Sequence, residues 1–231
     1  MTADLAKYVF KPDPHSSHSV ILRWLGDGRH RRVLDVGAAD GLLSRHLTAR
    51  GWRVTGIESD ERLAREGARH CERMVVAHLD RELPTLGGPF DVIVYGDVLE
   101  HLADPLRVFV ELNRHLAGDG SVIVSVPNVA HVVIRLLLLF GRFDYIDRGI
   151  LDATHLRFFT ERSLRGLVTD TGLSIERFTA TPAPLYQVLP ERWHRPWLAA
   201  THSINALIAR RVPRLFGYQF IVLARPKGAL P

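Results

Sequence analysis

The sequence has one cysteine, Cys71, in 231 residues. A lone thiol excludes an intrachain disulfide, so the fold cannot rest on a disulfide framework, and such a chain suits a reducing compartment. No apolar run approaches the roughly 20 residues that cross a bilayer. The longest, Val132 to Phe140, is interrupted by Arg135. The opening segment MTADLAKYVFKPDP carries charges and prolines where a secretory signal would need an apolar stretch. There is no internal repeat and no low-complexity tract. The expectation is a cytoplasmic protein, with contact at a membrane surface as its remaining route to lipid.

What is present is ordinary for a globular protein: 46% apolar and 24% charged residues, enough to build a core. At this length the expectation is a single domain over 1–231, with a core of about 31–180 plus 217–226. The net charge of +5 is unevenly placed. From Leu189 onward there are seven basic residues (Arg192, Arg195, Arg210, Arg211, Arg214, Arg225 and Lys227) against one acid, Glu191, so the rest of the chain carries −1. No stacking or helix-turn-helix pattern accompanies this basic tail, so nucleic acid is not expected. An anionic substrate, an anionic membrane surface or a solvated face would each suit it.

Apolar runs alternate with segments of helical period, the pattern of βαβ units around a mostly parallel sheet with helices on both faces. Strands are expected at RRVLDVG, WRVTGIES, MVVAHL, FDVIVYG, SVIVSVP, LSIERFTA and YQFIVLAR. Helices are expected at Ser17–Leu25, after Gly41, over DERLAREGARHC, after the Asp104 cap and Pro105, and from the Thr160 cap to Asp170. Leu106, Phe109, Val110 and Leu116 are the expected buried stripe of the fourth of these, with Gly118 as its stop. Two segments interrupt the alternation, 128–159 after strand five and 181–216 before the last strand. In open α/β sheets ligands bind beyond the carboxyl ends of the strands, so an insertion after strand five falls where a substrate cover would lie.

The first strand runs into Asp35-Val36-Gly37-Ala38-Ala39-Asp40-Gly41. A dinucleotide site wants G-x-G-x-x-G; counted from Gly37, its later glycines would fall on Ala39 and Leu42. An acid, one residue, then G-x-G-x-G fits better, with one departure at Ala39. Glu58, followed by Ser59, ends the second strand 23 positions after Asp35, where a carboxylate can accept from ribose hydroxyls. Asp80 follows the third strand and can accept from an adenine amino group.

The run VLDVGAADG, then VTGIESD, then AHLD, then FDVIVYGDVLEHLADP resembles the successive motifs of class I S-adenosylmethionine-dependent methyltransferases, over roughly Arg31 to Pro127. The resemblance implies a Rossmann-like seven-stranded sheet with its last strand antiparallel, and S-adenosylmethionine as methyl donor. Carried onto this chain, it places Asp35, Gly37 and Gly41 by the methionine part, with Ala39 between them. It places Glu58 at the ribose, Asp80 at the adenine and Asp97 beside the cofactor. The stretch GRFDYIDRGILDATHLRFFT resembles a bacterial subgroup found with glycan and lipid biosynthesis. The strand-four run is also similar to ubiquinone-pathway O-methyltransferases.

These readings converge on O-methylation of a small-molecule, sugar or lipid-linked intermediate. N- or C-methylation, or a non-catalytic cofactor-binding partner of a biosynthetic complex, are the alternatives. A hydroxyl acceptor calls for a base, and histidine is the usual one. Three of the twelve histidines fall at the substrate edge: His155 first, with His101 and His131 behind it. Asp152 is three residues from His155 and is expected to pair with it, and Arg157 is expected to bind an anionic group or Asp152. Phe158 and Phe159 would anchor this loop. Asp97, Glu100 and His101 also form a set that can hold a hard divalent ion, although no metal is the primary expectation. The segment 132–140 and the region 189–216, with Trp193 and Trp197, would cover the acceptor pocket, touch a membrane, or pair two copies of the chain.

Overall fold

The computed structural model describes residues 13–190, 192 and 196–228. Seven strands form one sheet in the order β3-β2-β1-β4-β5-β7-β6. They are β1 (Arg32–Val36), β2 (Arg53–Glu58), β3 (Arg73–Val76), β4 (Phe90–Gly96), β5 (Leu116–Pro127), β6 (Leu173–Thr181) and β7 (Gln219–Pro226). β1 to β5 pair in parallel, while β7 is antiparallel to both β5 and β6. The expected Rossmann-like sheet with an antiparallel last strand is therefore present. The strand order reverses between β1 and β4, and this switch point opens a crevice at the carboxyl ends.

The helices are α1 (Ser17–Leu25), α2 (Leu42–Thr48), α3 (Glu61–Gly67), α4 (Pro105–Asn113), α5 (Val132–Leu139), α6 (Glu161–Asp170), α7 (Leu185–Val188), α8 (Pro196–Arg211) and α9 (Pro213–Phe216). Two apolar cores cover the two faces of the sheet. One contains Phe90, Tyr95, Phe109 and Phe220; the other contains Ile21, Leu47, Val94 and Ile123. The central strands are apolar almost throughout because both of their faces are covered.

The boundaries depart from the sequence expectation in instructive places. α4 buries Val108, Phe109 and Leu112, while Leu106 and Val110 face solvent. An i, i+1, i+4 set shares one face of a helix, and Leu106 and Val110 lie on the other side. Leu116 and Gly118 belong to β5, where Leu116 pairs with Phe90 across a register shift. α3 ends at Gly67 and tightens into a 3-10 turn over Ala68–His70, and at Gly67 it meets the turn after β1. A Cβ on Gly67 would lie 2.8 Å from the Ala39 carbonyl oxygen, and one on Gly41 would lie 2.9 Å from Gly67 Cα.

The insertion 128–159 builds a small core of its own from Ile134, Ile150 and Leu151, with Phe143, Phe158 and Tyr218 packed on it. Asn128 and Phe159 close it through a bridge. α8 contacts β6, and His202 of α8 pairs with Asp13 at 2.9 Å. The 181–216 region therefore reaches the N-terminal segment, and it also meets the insertion, where Asn128 Nδ2 donates to the Arg214 carbonyl at 3.4 Å. Trp193 and Arg195 lie outside the described residues.

Candidate active site

The turn after β1 is held open by backbone conformation. Gly37, Ala39 and Gly41 all have positive φ, at 72°, 47° and 82°. Ala39 thus occupies a left-handed position that normally favours glycine, at a cost of roughly 1–2 kcal/mol. Glu58 compensates, since its Oε2 accepts the Ala39 N–H at 2.9 Å. Its Oε1 accepts from Ser59 N at 2.7 Å, Asp60 N at 2.8 Å and Ser59 Oγ at 3.2 Å. The expected ribose ligand is therefore also the clamp of the turn. A carboxylate offers about four acceptor positions, so room for a further donor lies at Oε2.

Asp35 is enclosed and accepts from Ser44 Oγ on α2 at 2.6 Å. Burial pushes its carboxyl up to about 6, against a smaller lowering by the Ser44 hydrogen bond. Asp80 accepts the Ala103 N–H at 3.0 Å, and Arg107 holds the same loop through the Leu79 and Asp80 carbonyls at 2.7 and 3.1 Å. Asp97 has φ 54° and binds Ser125 Oγ at 2.6 Å and Gln219 Nε2 at 2.8 Å. α1 brings His18 near Asp97, whose charge partly offsets the burial that lowers the imidazole pKa. The turn, Glu58, Asp80 and Asp97 lie on the loops that leave β1, β2, β3 and β4. The residues present fit a nucleoside cofactor with an amino-acid tail: carboxylates along one crevice, and a turn whose backbone a ligand can approach.

The edge where the acceptor is expected is assembled from distant segments. Leu156 and Arg157 donate their N–H groups to the Glu100 carbonyl at 2.8 and 3.0 Å, pinning the insertion onto the loop after β4. This brings His155 to His101, with ring centroids 4.9 Å apart in an edge arrangement. His101 Nδ1 lies 3.2 Å from both the Thr154 carbonyl and Thr154 Oγ1. That hydroxyl donates to Asp152 Oδ1 at 2.6 Å, so it accepts from His101. His155 Nδ1 lies 3.0 Å from the Ile150 carbonyl. A carbonyl cannot donate, so both rings carry a proton on Nδ1, and neither Nε2 is engaged by these carbonyls. Burial, and then the neighbouring His155, lower the His101 pKa. Glu100 is enclosed beneath this pair. Burial first, then the Asp97 charge, push its carboxyl well above the carboxylate range.

His131 differs from the other two. Its Nδ1 accepts the Val133 N–H at 3.3 Å and so caps α5, which commits its lone pair. Asp152 Oδ1 accepts from Thr154 N at 2.9 Å and from Thr154 Oγ1 at 2.6 Å. The Arg157 guanidinium donates to the Ala103 carbonyl. The ligating atoms that gather are those of Glu100, His101 and His155. Asp97, which the spacing had grouped with Glu100 and His101, is turned to Ser125 and Gln219.

The pattern did not single out Ser125, Gln219 or Asn128. Asn128 is buried, and its amide donates to the Gly217 carbonyl at 2.8 Å, tying the insertion to the last strand. Ser125 was legible as a polar residue inside an apolar strand. Gln219 had no signal, because it arrives from the far end of the chain.

The family model described as "Methyltransferase domain" matches residues 13–177, most of the chain. A ubiquinone biosynthesis O-methyltransferase of Psychrobacter arcticus is 28% identical over 203 residues, covering 80% of this chain and 72% of that protein. The protein of the same name from Caulobacter sp. K31 is 26% identical, covering 81% and 79%. Among solved structures, magnesium protoporphyrin IX methyltransferase of Synechocystis PCC 6803 with bound SAH aligns at a TM-score of 0.63. It has 19% identity and covers 91% of this chain and 82% of that one. A putative methyltransferase of Bacillus halodurans aligns at 0.62, with 13% identity and coverage of 91% and 99%. The switch-point crevice, its left-handed turn and the matching family model lead to one conclusion: the chain belongs to the methyltransferase-domain family and is a class I S-adenosylmethionine-dependent methyltransferase.

Proposed function

We propose that the chain methylates a hydroxyl oxygen on a small-molecule, sugar or lipid-linked biosynthetic intermediate. The observation that carries this reading is the His101–His155 pair, two imidazoles in edge contact, each with Nδ1 tied to a backbone carbonyl. Bound S-adenosylmethionine supplies an activated methyl with its own leaving group. What the protein must add for an oxygen acceptor is alignment and a place for the hydroxyl proton. An Nε2 of this pair would take up that proton. His131 is the weaker candidate because its lone pair holds a helix cap. The O-methyltransferase names of the relatives support the same acceptor class.

On the cofactor side, Asp35, Gly37, Ala39 and Gly41 would border the methionine moiety. Glu58 with Ser59 would hold the ribose, Asp80 the adenine, and Asp97 the region near the sulfonium. α5 supports a lipid-linked acceptor. Leu139 and Phe140 are 76% and 77% exposed, with Val133, Leu136 and Leu138 also outward. Among the described residues no helix is long and apolar enough to cross a membrane, so this face would reach lipid from the surface. Co-sedimentation with anionic and neutral vesicles tests that part, and no binding to either would remove it.

The cofactor assignment is tested by calorimetry with S-adenosylmethionine and with NAD. Binding of the first only is expected. Glu58→Ala should lose roughly 1.5–3 kcal/mol of that affinity, the typical worth of hydrogen bonds to a charged group. NAD binding in place of S-adenosylmethionine would overturn the assignment.

A further inference from the structure

Glu100 is 1% exposed, and neither of its carboxylate oxygens has a hydrogen-bond partner. A buried polar group in that state is costly, and native folds almost always satisfy it. Two imidazoles stand beside it. One ligand atom each from Glu100, His101 and His155 lie within 4.8 Å of one another. The assembly is built from two segments far apart in sequence, fastened by the paired N–H donations of Leu156 and Arg157 to the Glu100 carbonyl. Each imidazole is oriented by a carbonyl at Nδ1, and the His101 ring also by Thr154 Oγ1, itself held by Asp152. Outer partners of this kind fix ring and tautomer around metal-binding histidines.

We propose that Glu100, His101 and His155 form a binding site for one divalent transition-metal ion of the zinc, manganese or iron(II) class. Two imidazoles and one carboxylate favour such an ion over magnesium, which prefers oxygen ligands and keeps its water. Bonds of about 2.0–2.2 Å would draw the three groups closer by roughly an ångström. The unpartnered carboxylate would then gain the positive partner it lacks. Three protein ligands leave coordination positions open, and His101 and His155 stand at the acceptor edge. An acceptor hydroxyl could fill one such position, and the ion would lower its pKa. In the loaded protein the imidazoles then serve as ligands rather than as the base. That last step rests on the hydroxyl-methylation reading, whereas the ion site does not.

The test uses untagged protein purified without chelator and analysed for metal by mass spectrometry. The same protein, stripped with EDTA, is then titrated with Zn²⁺, Mn²⁺, Fe²⁺ and Mg²⁺ by calorimetry. About one equivalent of a transition ion per chain is expected, with at least tenfold weaker binding in Glu100→Gln and in His155→Ala. His101→Ala serves if either variant fails to fold. S-adenosylmethionine binding is measured on the same samples. If the stripped protein binds none of the transition ions, or the variants bind as the unaltered chain does, the site is refuted. Metal binding without S-adenosylmethionine binding would overturn the cofactor reading and leave the ion site standing.

Discussion

The two sides of the crevice are built differently. The side proposed for the cofactor takes its residues from the ends of successive strands, within a stretch from Asp35 to Asp97; Glu58 and Asp80 accept from backbone N–H groups, while Asp35 and Asp97 accept from side chains. The acceptor side joins Glu100 and His101 to an insertion some fifty residues later, and its histidines answer to backbone carbonyls. A site made from consecutive strand ends is fixed once the sheet forms. A site made by docking an insertion depends on a few long-range hydrogen bonds. The two sides still meet at Ala103, whose N–H goes to Asp80 and whose carbonyl goes to Arg157 of the insertion, so how far they act separately is a matter for experiment.

The sharpest way to test this separation is to remove the proposed bases. His101→Ala and His155→Ala should each lower turnover by roughly 10²–10⁴, while S-adenosylmethionine affinity stays within about twofold. Single-turnover rates with a hydroxylated acceptor, set beside calorimetry, check both arms. An equal loss of cofactor affinity would show that the two sides are one unit. A loss of stability with unchanged turnover would make these histidines structural.

Asp35 probes the cofactor side by pH. Its folded pKa of about 6 lies above the ordinary 3.8, so the native state holds its proton more tightly than the unfolded chain does. Stability from this group is full below about pH 4, falls as pH rises toward 6, and is flat above. At 1.36 kcal/mol per pKa unit, Asp35→Asn should gain up to about 3 kcal/mol near pH 8 and almost nothing near pH 4. Denaturant midpoints at both pH values measure it. If stability rises while S-adenosylmethionine binding weakens, the buried charge is retained for the ligand. A flat difference across pH would remove the buried charge from the account.

How far the sequence revealed each side follows from the same contrast. Asp35, Gly37, Ala39, Gly41 and Glu58 announce themselves because turn chemistry and strand ends are local. Gly67 does not, since its need for a bare Cα comes from Gly41 and the Ala39 carbonyl across space. On the acceptor side the spacing pointed to Asp97 with Glu100 and His101, as if they shared one face. The left-handed backbone at Asp97 turns its carboxylate away instead. His155 takes the vacated place, a pairing visible only after the insertion folds back. The α4 stripe failed for a smaller reason: several apolar positions allow more than one phase of the helix, and only the sheet selects one.

His131 gives the smallest effect and the finest discrimination, because sequence placed it with the bases and the structure makes it a cap. Capping needs an acceptor at Nδ1 toward the Val133 N–H, and burial lowers the pKa, so the ring is held neutral. A folded pKa below 6.5 means its stability is present above about pH 6.5 and is lost as pH falls below that value. His131→Ala should cost about 1 kcal/mol, the usual worth of a cap. His131→Asn supplies another acceptor and should recover most of that, without the decline at acid pH. Thermal unfolding at pH 7.5 and 5.5 separates the three proteins by both criteria. Turnover decides the role: Asn should keep it within a few-fold, since an amide can cap a helix but cannot take a proton. A hundredfold loss in His131→Asn at undiminished stability would return His131 to the bases and make the insertion's first turn part of the catalytic edge.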